Sequence, residues 1–259
     1  MYFDVLLPSV LFVIIILSIF LQRRLEKRMI ILIEEARISL REAFFIVAFM
    51  GIAVTAIAFI PGMAIQIIFL AAYSYILFSF VYVAYKRWYL AIVPPIIFVC
   101  SYFLCWNLIV FNIFAIIFSM IIAVYASGLF SWRTVWIFAI LLTIMDVIQV
   151  FFTGFMGQSA VKMMRLKLPV LLLLPTYPHG LTIGLGLGDI FLASLLSIQM
   201  ASKYGVKAGI LTAATNSLAM FIFEVALLNT MFARFFPATL VVIAGSAMGL
   251  WTTHMMRRQ

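Results

Sequence analysis

The stretch VLLPSVLFVIIILSIFL, residues 5–21, contains no charged side chain. A helix needs about 20 apolar residues to cross the hydrocarbon core of a membrane, so this run predicts a transmembrane helix. No basic region precedes it and no small-residue cleavage site follows it, so we expect a retained helix and not a removable signal peptide. The whole chain of 259 residues is 67% hydrophobic and 10% charged. Soluble domains are about half apolar and about a quarter charged, so the composition excludes a soluble protein and indicates a polytopic membrane protein.

Further apolar runs of spanning length follow the first one, and turn-forming or basic residues such as Pro61-Gly62 separate several of them. We therefore predict an all-α polytopic membrane protein with nine transmembrane helices. Residues 1–133 hold the first five helices and residues 134–259 hold the last four. The predicted spans are roughly 5–22, 43–60, 63–85, 89–105, 107–127, 134–152, 182–201, 206–228 and 235–252.

The basic residues predict the orientation of these helices, because Lys and Arg concentrate in loops on the inner side of the membrane. With the N-terminus outside and the C-terminus inside, the basic segment 23–42 is an inner loop and residues 153–181 form an outer loop. The outer side then holds only Lys162, Arg165, Lys167 and Arg234 of the 17 basic residues. The net charge of +9 is explained by inner loops that face anionic lipid, so no nucleic-acid partner is expected.

Three acidic residues lie inside predicted spans. Inserting a carboxylate at the centre of a membrane helix costs about 3 kcal/mol, and such residues are functional by default. Asp146 in span six and Asp189 in span seven both lie roughly seven residues, or about 10 Å, from the outer boundary. Because these helices are consecutive and antiparallel, the two carboxyls can meet. One carboxylate can then activate a water while the other, protonated, donates to a reacting carbonyl. Glu224, near the outer end of span eight, is expected to reach the interface.

The glycines of GLGLGDIF, residues 184–191, allow two interpretations. Gly184 and Gly188 alone have the small-xxx-small spacing of close helix packing. With Gly186 added, the alternation loosens the helix and leaves backbone accessible just before Asp189. No cluster of His, Cys and carboxylate residues has metal-ligand spacing, so we expect neither a metal nor a cofactor.

The residues GLGD at 186–189, the upstream Asp146 and the PAL-like element Pro237-Ala238-Thr239-Leu240 resemble the presenilin and signal peptide peptidase family of GxGD intramembrane aspartyl proteases. The segment LKLPVLLLLP, residues 166–175, is also similar to the one that precedes the motif in microbial members. The resemblance covers about 134–250. It implies a presenilin-like bundle with a scaffold in residues 1–133 and a catalytic part in 134–259. The implied catalytic residues are Asp146 and Asp189, supported by Gly186, Leu187, Gly188, Pro237, Ala238 and Thr239.

This resemblance also implies the partners and the location. The substrates would be transmembrane helical peptides or remnant signal peptides, and the location would be a prokaryotic cell membrane. The sequence itself gives no reason to require an accessory subunit. The derived orientation looks like that of signal peptide peptidases, so substrates are expected to run with their N-termini inside. The sequence departs from the family at Met145, where a tyrosine is usual, and at Thr239, where PAL has leucine.

Two questions stay open from the sequence alone. The segment from Pro169 to Pro175 is either a lipid-touching connector or an extended edge that pairs with an unwound substrate. Intramembrane acids beside a glycine-interrupted helix also occur in proton-coupled transporters and channels, and the departures at Met145 and Thr239 leave room for a catalytically silent scaffold. The sequence makes no prediction of oligomeric state.

Overall fold

The computed structural model describes residues 3–33, 38–176, 182–230 and 235–258. Within these ranges the chain forms ten α-helices and one two-stranded antiparallel sheet. The helices are α1 (Leu6–Ile33), α2 (Leu40–Phe59), α3 (Gly62–Tyr85), α4 (Trp88–Leu104), α5 (Leu108–Leu129), α6 (Trp132–Val147), α7 (Phe155–Arg165), α8 (Leu187–Tyr204), α9 (Val206–Thr230) and α10 (Thr239–Arg258). A π-helical segment (Ile148–Thr153) continues α6, and strands β1 (Leu171–Pro175) and β2 (Thr182–Gly186) lie between α7 and α8.

Seven of the described helices are long and apolar enough to cross a membrane. This confirms the prediction of an integral, multi-pass, largely helical membrane protein. The helix α4, with 17 residues, is shorter, and α8 is not among the seven. The seven spans are Leu6–Glu26, Leu40–Phe59, Gly62–Tyr85, Leu108–Leu129, Trp132–Thr153, Val206–Thr230 and Thr239–Arg257.

The helix α8 is the centre of the bundle. Every residue from Asp189 to Ala201 is buried, because α1, α5, α9 and α10 all pack around it. This shielding from lipid lets α8 carry polar side chains, provided that they find partners. Gln199 is one of them, and its Nε2 donates to the carbonyls of Ser127 at 2.7 Å and Phe130 at 3.0 Å.

Small residues hold α9 and α10 together. A Cβ at Gly245 would lie 2.7 Å from Asn216 Oδ1, and one at Gly249 would lie 2.7 Å from Thr212 Oγ1, so the two helices approach more closely than larger residues permit. Asn216 Nδ2 also donates to Ser246 Oγ at 3.0 Å. The last helix is therefore fixed against α9, and its N-terminus has a defined position.

The helix α2 packs chiefly on α6 and α7. Lys162 of α7 donates its Nζ to the carbonyls of Ile57, Ala58 and Ile60 at 2.6–3.0 Å, and so satisfies the carbonyl end of α2. Gln149, in the π-helical segment, donates to the carbonyl of Gly51 at 2.7 Å. These bonds attach the π-helical segment, and the helix that follows it, to one neighbouring helix.

The prediction that the seventh span begins at 182 is wrong. Residues 182–186 are strand β2, paired with β1 in the register Leu171↔Gly186 to Pro175↔Thr182, and the helix begins only at Leu187. Glycine at alternate positions is a poor helix former, and pairing with β1 satisfies the backbone instead. The small-xxx-small interpretation fails for the same reason, because Gly184 lies in a strand and Gly188 in a helix.

Two predicted connections contain secondary structure. The helix α1 continues to Ile33, into the basic segment 23–42, of which residues 34–37 lie outside the described ranges. The segment 153–181 contains α7 and β1, and the strand agrees with the extended alternative for 169–175, while residues 177–181 are likewise not described. One further expectation needs correction, because Glu224 does not reach an interface. Its side chain is only 2% exposed, because α1 packs against α9 there.

Candidate active site

Asp189 lies in the first turn of α8, three residues after the N-cap residue Gly186. Its carboxylate accepts a hydrogen bond from the backbone N–H of Gly186. This is one half of a capping box, in which an acidic residue in the first turn satisfies an N–H that the helix itself leaves unpaired. The strand β2 leads directly into this turn. The hairpin therefore determines where α8 begins and, with it, where Asp189 lies.

Asp146 is the penultimate residue of α6, just before the backbone changes to π-helical geometry at Ile148. Its side chain is half-buried, whereas Asp189 is 6% exposed. The two carboxyls are close enough for their charges to interact. The helices that carry them, α6 and α8, contact each other, and both contact α10.

Thr239 is the first residue of α10, Pro237 and Ala238 come directly before it, and the three complete the site. The N–H of Thr239 donates to the Asp189 carboxylate. The Thr239 hydroxyl lies beside the Asp146 carboxyl, but no hydrogen bond of ordinary geometry from a described residue satisfies its Oγ1. Pro237 and Ala238 accept the first backbone hydrogen bonds of α10, at 3.1 Å from Leu240 and 3.0 Å from Val242. Thr239 is therefore next to both aspartates.

Two helix N-termini thus converge on one carboxylate. The free N–H groups of a helix N-terminus carry partial positive charge and favour an anion. Asp189 receives such N–H groups from α8, through Gly186, and from α10, through Thr239. These N–H groups stabilise the charged carboxylate, against the stronger opposing effects of its burial and of the neighbouring Asp146 carboxyl. Two carboxyls in such surroundings can hold one proton between them, as acid–base chemistry requires.

The three glycines before Asp189 have different surroundings. A Cβ at Gly186 would lie 2.8 Å from Asp189 Oδ2, so no larger residue fits there without moving the carboxylate. A Cβ at Gly184 would lie 3.1 Å from Leu173 Cδ2, a tight contact with the opposite strand. No described atom lies within 4 Å of the Cβ position at Gly188, which is exposed. Of these three positions, only 186 has to be glycine because of the position of the Asp189 carboxylate.

Met145 points away from the site. A Cβ at Gly51 on α2 would overlap the Met145 Cε and would lie 2.9 Å from its Sδ, so the thioether fills the space above this glycine. The residue that replaces the family's usual tyrosine therefore contributes to the α2–α6 contact. Leu187, by contrast, belongs to the hairpin, because its N–H donates to the carbonyl of Val170 at 3.0 Å.

Side chains of the scaffold that were not among the predicted site residues bind the hairpin and the segment before it. Asn112 of α5 donates from Nδ2 to the carbonyl of Leu173 at 2.7 Å and accepts from the N–H of Leu173 at 2.9 Å. Tyr102 donates to the carbonyl of Leu166 at 2.6 Å, and Tyr73 donates to that of Pro169 at 3.4 Å. A polar amide in an otherwise apolar helix was the available signal for Asn112.

No group of three or more His, Cys, Asp or Glu residues that could hold a metal occurs in the described ranges.

The chain matches no protein-family model, and it matches no curated protein.

Proposed function

We propose that this protein is an intramembrane aspartic endopeptidase that hydrolyses peptide bonds within transmembrane segments or remnant signal peptides. The observation that carries the proposal is that Thr239 is beside both Asp146 and Asp189, two carboxyls from different helices in a chain of membrane-spanning helices. The resemblance at GLGD and at the PAL-like element supports the same activity. The proposal includes nine spans in a presenilin-like bundle, with the N-terminus outside and the C-terminus inside, in a prokaryotic cell membrane.

The chemistry follows from two carboxyls that share one proton. The ionised carboxylate removes a proton from water, and the water oxygen attacks the peptide carbonyl carbon. The protonated carboxyl donates to the carbonyl oxygen, and a proton is then transferred to the leaving nitrogen as the C–N bond breaks. The titration belongs to the pair, so the two roles are not assigned to single residues.

We propose that an unwound substrate pairs with β2 and not with β1. In an antiparallel pair, the backbone groups of alternate residues point to opposite edges. The Leu173 backbone binds Asn112, so the outer edge of β1 is occupied there, and the inner edge is paired with β2. By the same alternation, Gly184 directs its N–H and C=O away from β1. This free edge of β2 leads directly to Asp189. We therefore propose that the edge that pairs with the substrate lies at 182–186 and not at 169–175.

Gly184→Pro tests this pairing, because it removes an outward N–H without removing a bond to β1. We expect KM for a single-span peptide to rise about fivefold, the effect of one backbone hydrogen bond, with a smaller change in kcat. The matched control is Gly184→Ala, which adds the Cβ near Leu173 but keeps the N–H. Equal kinetics for the proline and alanine variants would refute pairing at this edge.

One observation favours a second candidate function, a proton-coupled transporter or channel. Glu224 is buried in α9 near Asp4, and neither of its carboxylate oxygens has a hydrogen-bond partner in the described ranges. Buried intramembrane acids of this kind occur in proton pathways.

Reconstitution in liposomes separates the two functions. We expect the purified chain to cut a single-span peptide inside its apolar segment, mainly when the peptide N-terminus is on the inner side, with products identified by mass spectrometry. Intact peptide in both orientations would contradict the protease. Proton or solute flux in peptide-free liposomes that persists in Asp189→Asn would favour the transporter.

A further inference from the structure

Asn112 binds the hairpin in a manner that no other described side chain repeats. Its amide makes two hydrogen bonds to one residue, donating to the carbonyl of Leu173 at 2.7 Å and accepting from its N–H at 2.9 Å. This is the pairing that a neighbouring strand would make with the same edge. Asn112 lies in the first half of α5, which is both a membrane-spanning helix and a neighbour of α8. A polar side chain in such a helix is costly unless its hydrogen bonds are made.

The hairpin itself specifies its register poorly. The strand β1 begins with four consecutive leucines, and β2 alternates glycine with apolar residues as TIGLG. A displacement of two residues therefore places leucine opposite glycine again and keeps the same faces inward. Registers are weakly specified in glycine-rich strands for this reason. The alternation of leucine and glycine by itself therefore does not distinguish the observed register from one displaced by two residues.

The register nevertheless determines the position of Asp189. The ladder from Pro175↔Thr182 to Leu171↔Gly186 continues in the bond from the Leu187 N–H to the Val170 carbonyl. Leu187 is the first residue of α8, and Gly186 donates to the Asp189 carboxylate. A displacement of the strands would therefore move the N-cap that binds this carboxylate.

We infer that Asn112 is a positioning residue that fixes β1 at Leu173, and so fixes the register of the hairpin and the position of Asp189. This inference rests on the proposed function for its effect on cleavage, but not for its effect on register. The tyrosines at 73 and 102 bind carbonyls before β1, at Pro169 and Leu166, and neither binds the strand itself. They restrain the approach to the hairpin, while Asn112 restrains the pairing.

Disulfide trapping reads the register directly. Gly184→Cys is combined in turn with Leu171→Cys, Leu173→Cys or Pro175→Cys, in a full-length chain whose Cys100 and Cys105 are replaced by alanine. Residues 173 and 184 are a directly opposed pair with outward backbone groups, at about 4.5 Å between Cα atoms, which suits a disulfide. The diagonal pairs are about 7–8 Å apart. We expect the 173/184 pair alone to crosslink rapidly when Asn112 is present.

In Asn112→Leu, we expect the ratio of diagonal to native crosslinks to rise about tenfold, since two backbone hydrogen bonds are lost. Asn112→Asp keeps an acceptor and loses the amide donor, so it should give a smaller rise in this ratio. It replaces the leucine variant in the test if that variant does not fold. The matched control is Tyr102→Phe, which should leave the ratio unchanged. An unchanged ratio in both Asn112 variants would overturn the inference.

The same variants are then tested for cleavage. We expect the cut positions in a single-span peptide to spread to neighbouring bonds in Asn112→Leu, which a uniform loss of folded protein would not cause. Cut positions that stay the same while the register shifts would overturn the link to Asp189. If the wild-type chain cuts nothing, the proposed function fails while the crosslinking result still decides the role of Asn112 in register.

Discussion

Asp189→Asn is expected to lower the rate of peptide cleavage by about 10³-fold, the contribution of a positioned acid–base group. Asparagine has nearly the same shape, and its carbonyl oxygen can still accept from the N–H groups of Gly186 and Thr239. The site therefore keeps its geometry and loses only the group that exchanges a proton. The same loss is expected for Asp146→Asn. The measurement is the initial rate in liposomes containing a single-span peptide.

Glu224→Gln is the matched control, because it also neutralises a buried intramembrane carboxyl. Glu224 lies in α9 and is not among the residues that contact Asp146 and Asp189. We expect it to cleave at the wild-type rate. Binding of an aspartyl-protease transition-state analogue should be lost in both aspartate variants and retained in this control. Cleavage that survives in either Asp146→Asn or Asp189→Asn would contradict the two-carboxylate mechanism.

Gly186→Ala is expected to lower kcat by about 10²-fold, the effect of misplacing a catalytic group by about 1 Å. The physical reason is a single contact, since the new methyl group would lie 2.8 Å from Asp189 Oδ2. The carboxylate has to move, and its bond from the Gly186 N–H is distorted. The measurement is kcat for the same peptide, together with the melting temperature in detergent.

Gly188→Ala is the comparison variant, two residues away in the same motif. No described atom lies within 4 Å of its Cβ position, so the folded chain accommodates the methyl group. We expect its melting temperature to be unchanged, and any loss of activity to appear mainly in KM, because the exposed space beside Asp189 is where a substrate would lie. If both alanine variants lose kcat equally, the contact with Oδ2 is not the cause.

Much of the fold could be predicted from hydropathy, because helices exposed to lipid have to be apolar. The spans that became α2, α3, α5 and α9 begin and end within a few residues of their predicted positions. The seventh span failed at its start because the hydropathy of a short run such as Thr-Ile-Gly-Leu-Gly does not show whether the run is a helix or a strand. The partner strand, about ten residues earlier in the chain, provides the pairing that makes it a strand.

For the candidate site, the sequence could identify residue types but not their contacts. Matching depth predicted that Asp146 and Asp189 could meet, and in the structure the two carboxyls are near enough for their charges to interact. The role of Thr239 as a donor to Asp189 depends on where α10 begins, which hydropathy does not define. Asn112 binds a residue 61 positions away through backbone atoms, so no pattern in the sequence of β1 could have indicated it.

The polar and largely buried α8 has a consequence for biogenesis. A helix that carries Asp189, Gln199 and Lys203 gains little by partitioning alone from the translocon into lipid. Its neighbours α1 and α5 are synthesised before it, whereas α9 and α10 follow. Stable insertion of α8 therefore depends on helices that emerge later from the ribosome, and Asp189 becomes committed to the bilayer only after α9 and α10 have been synthesised.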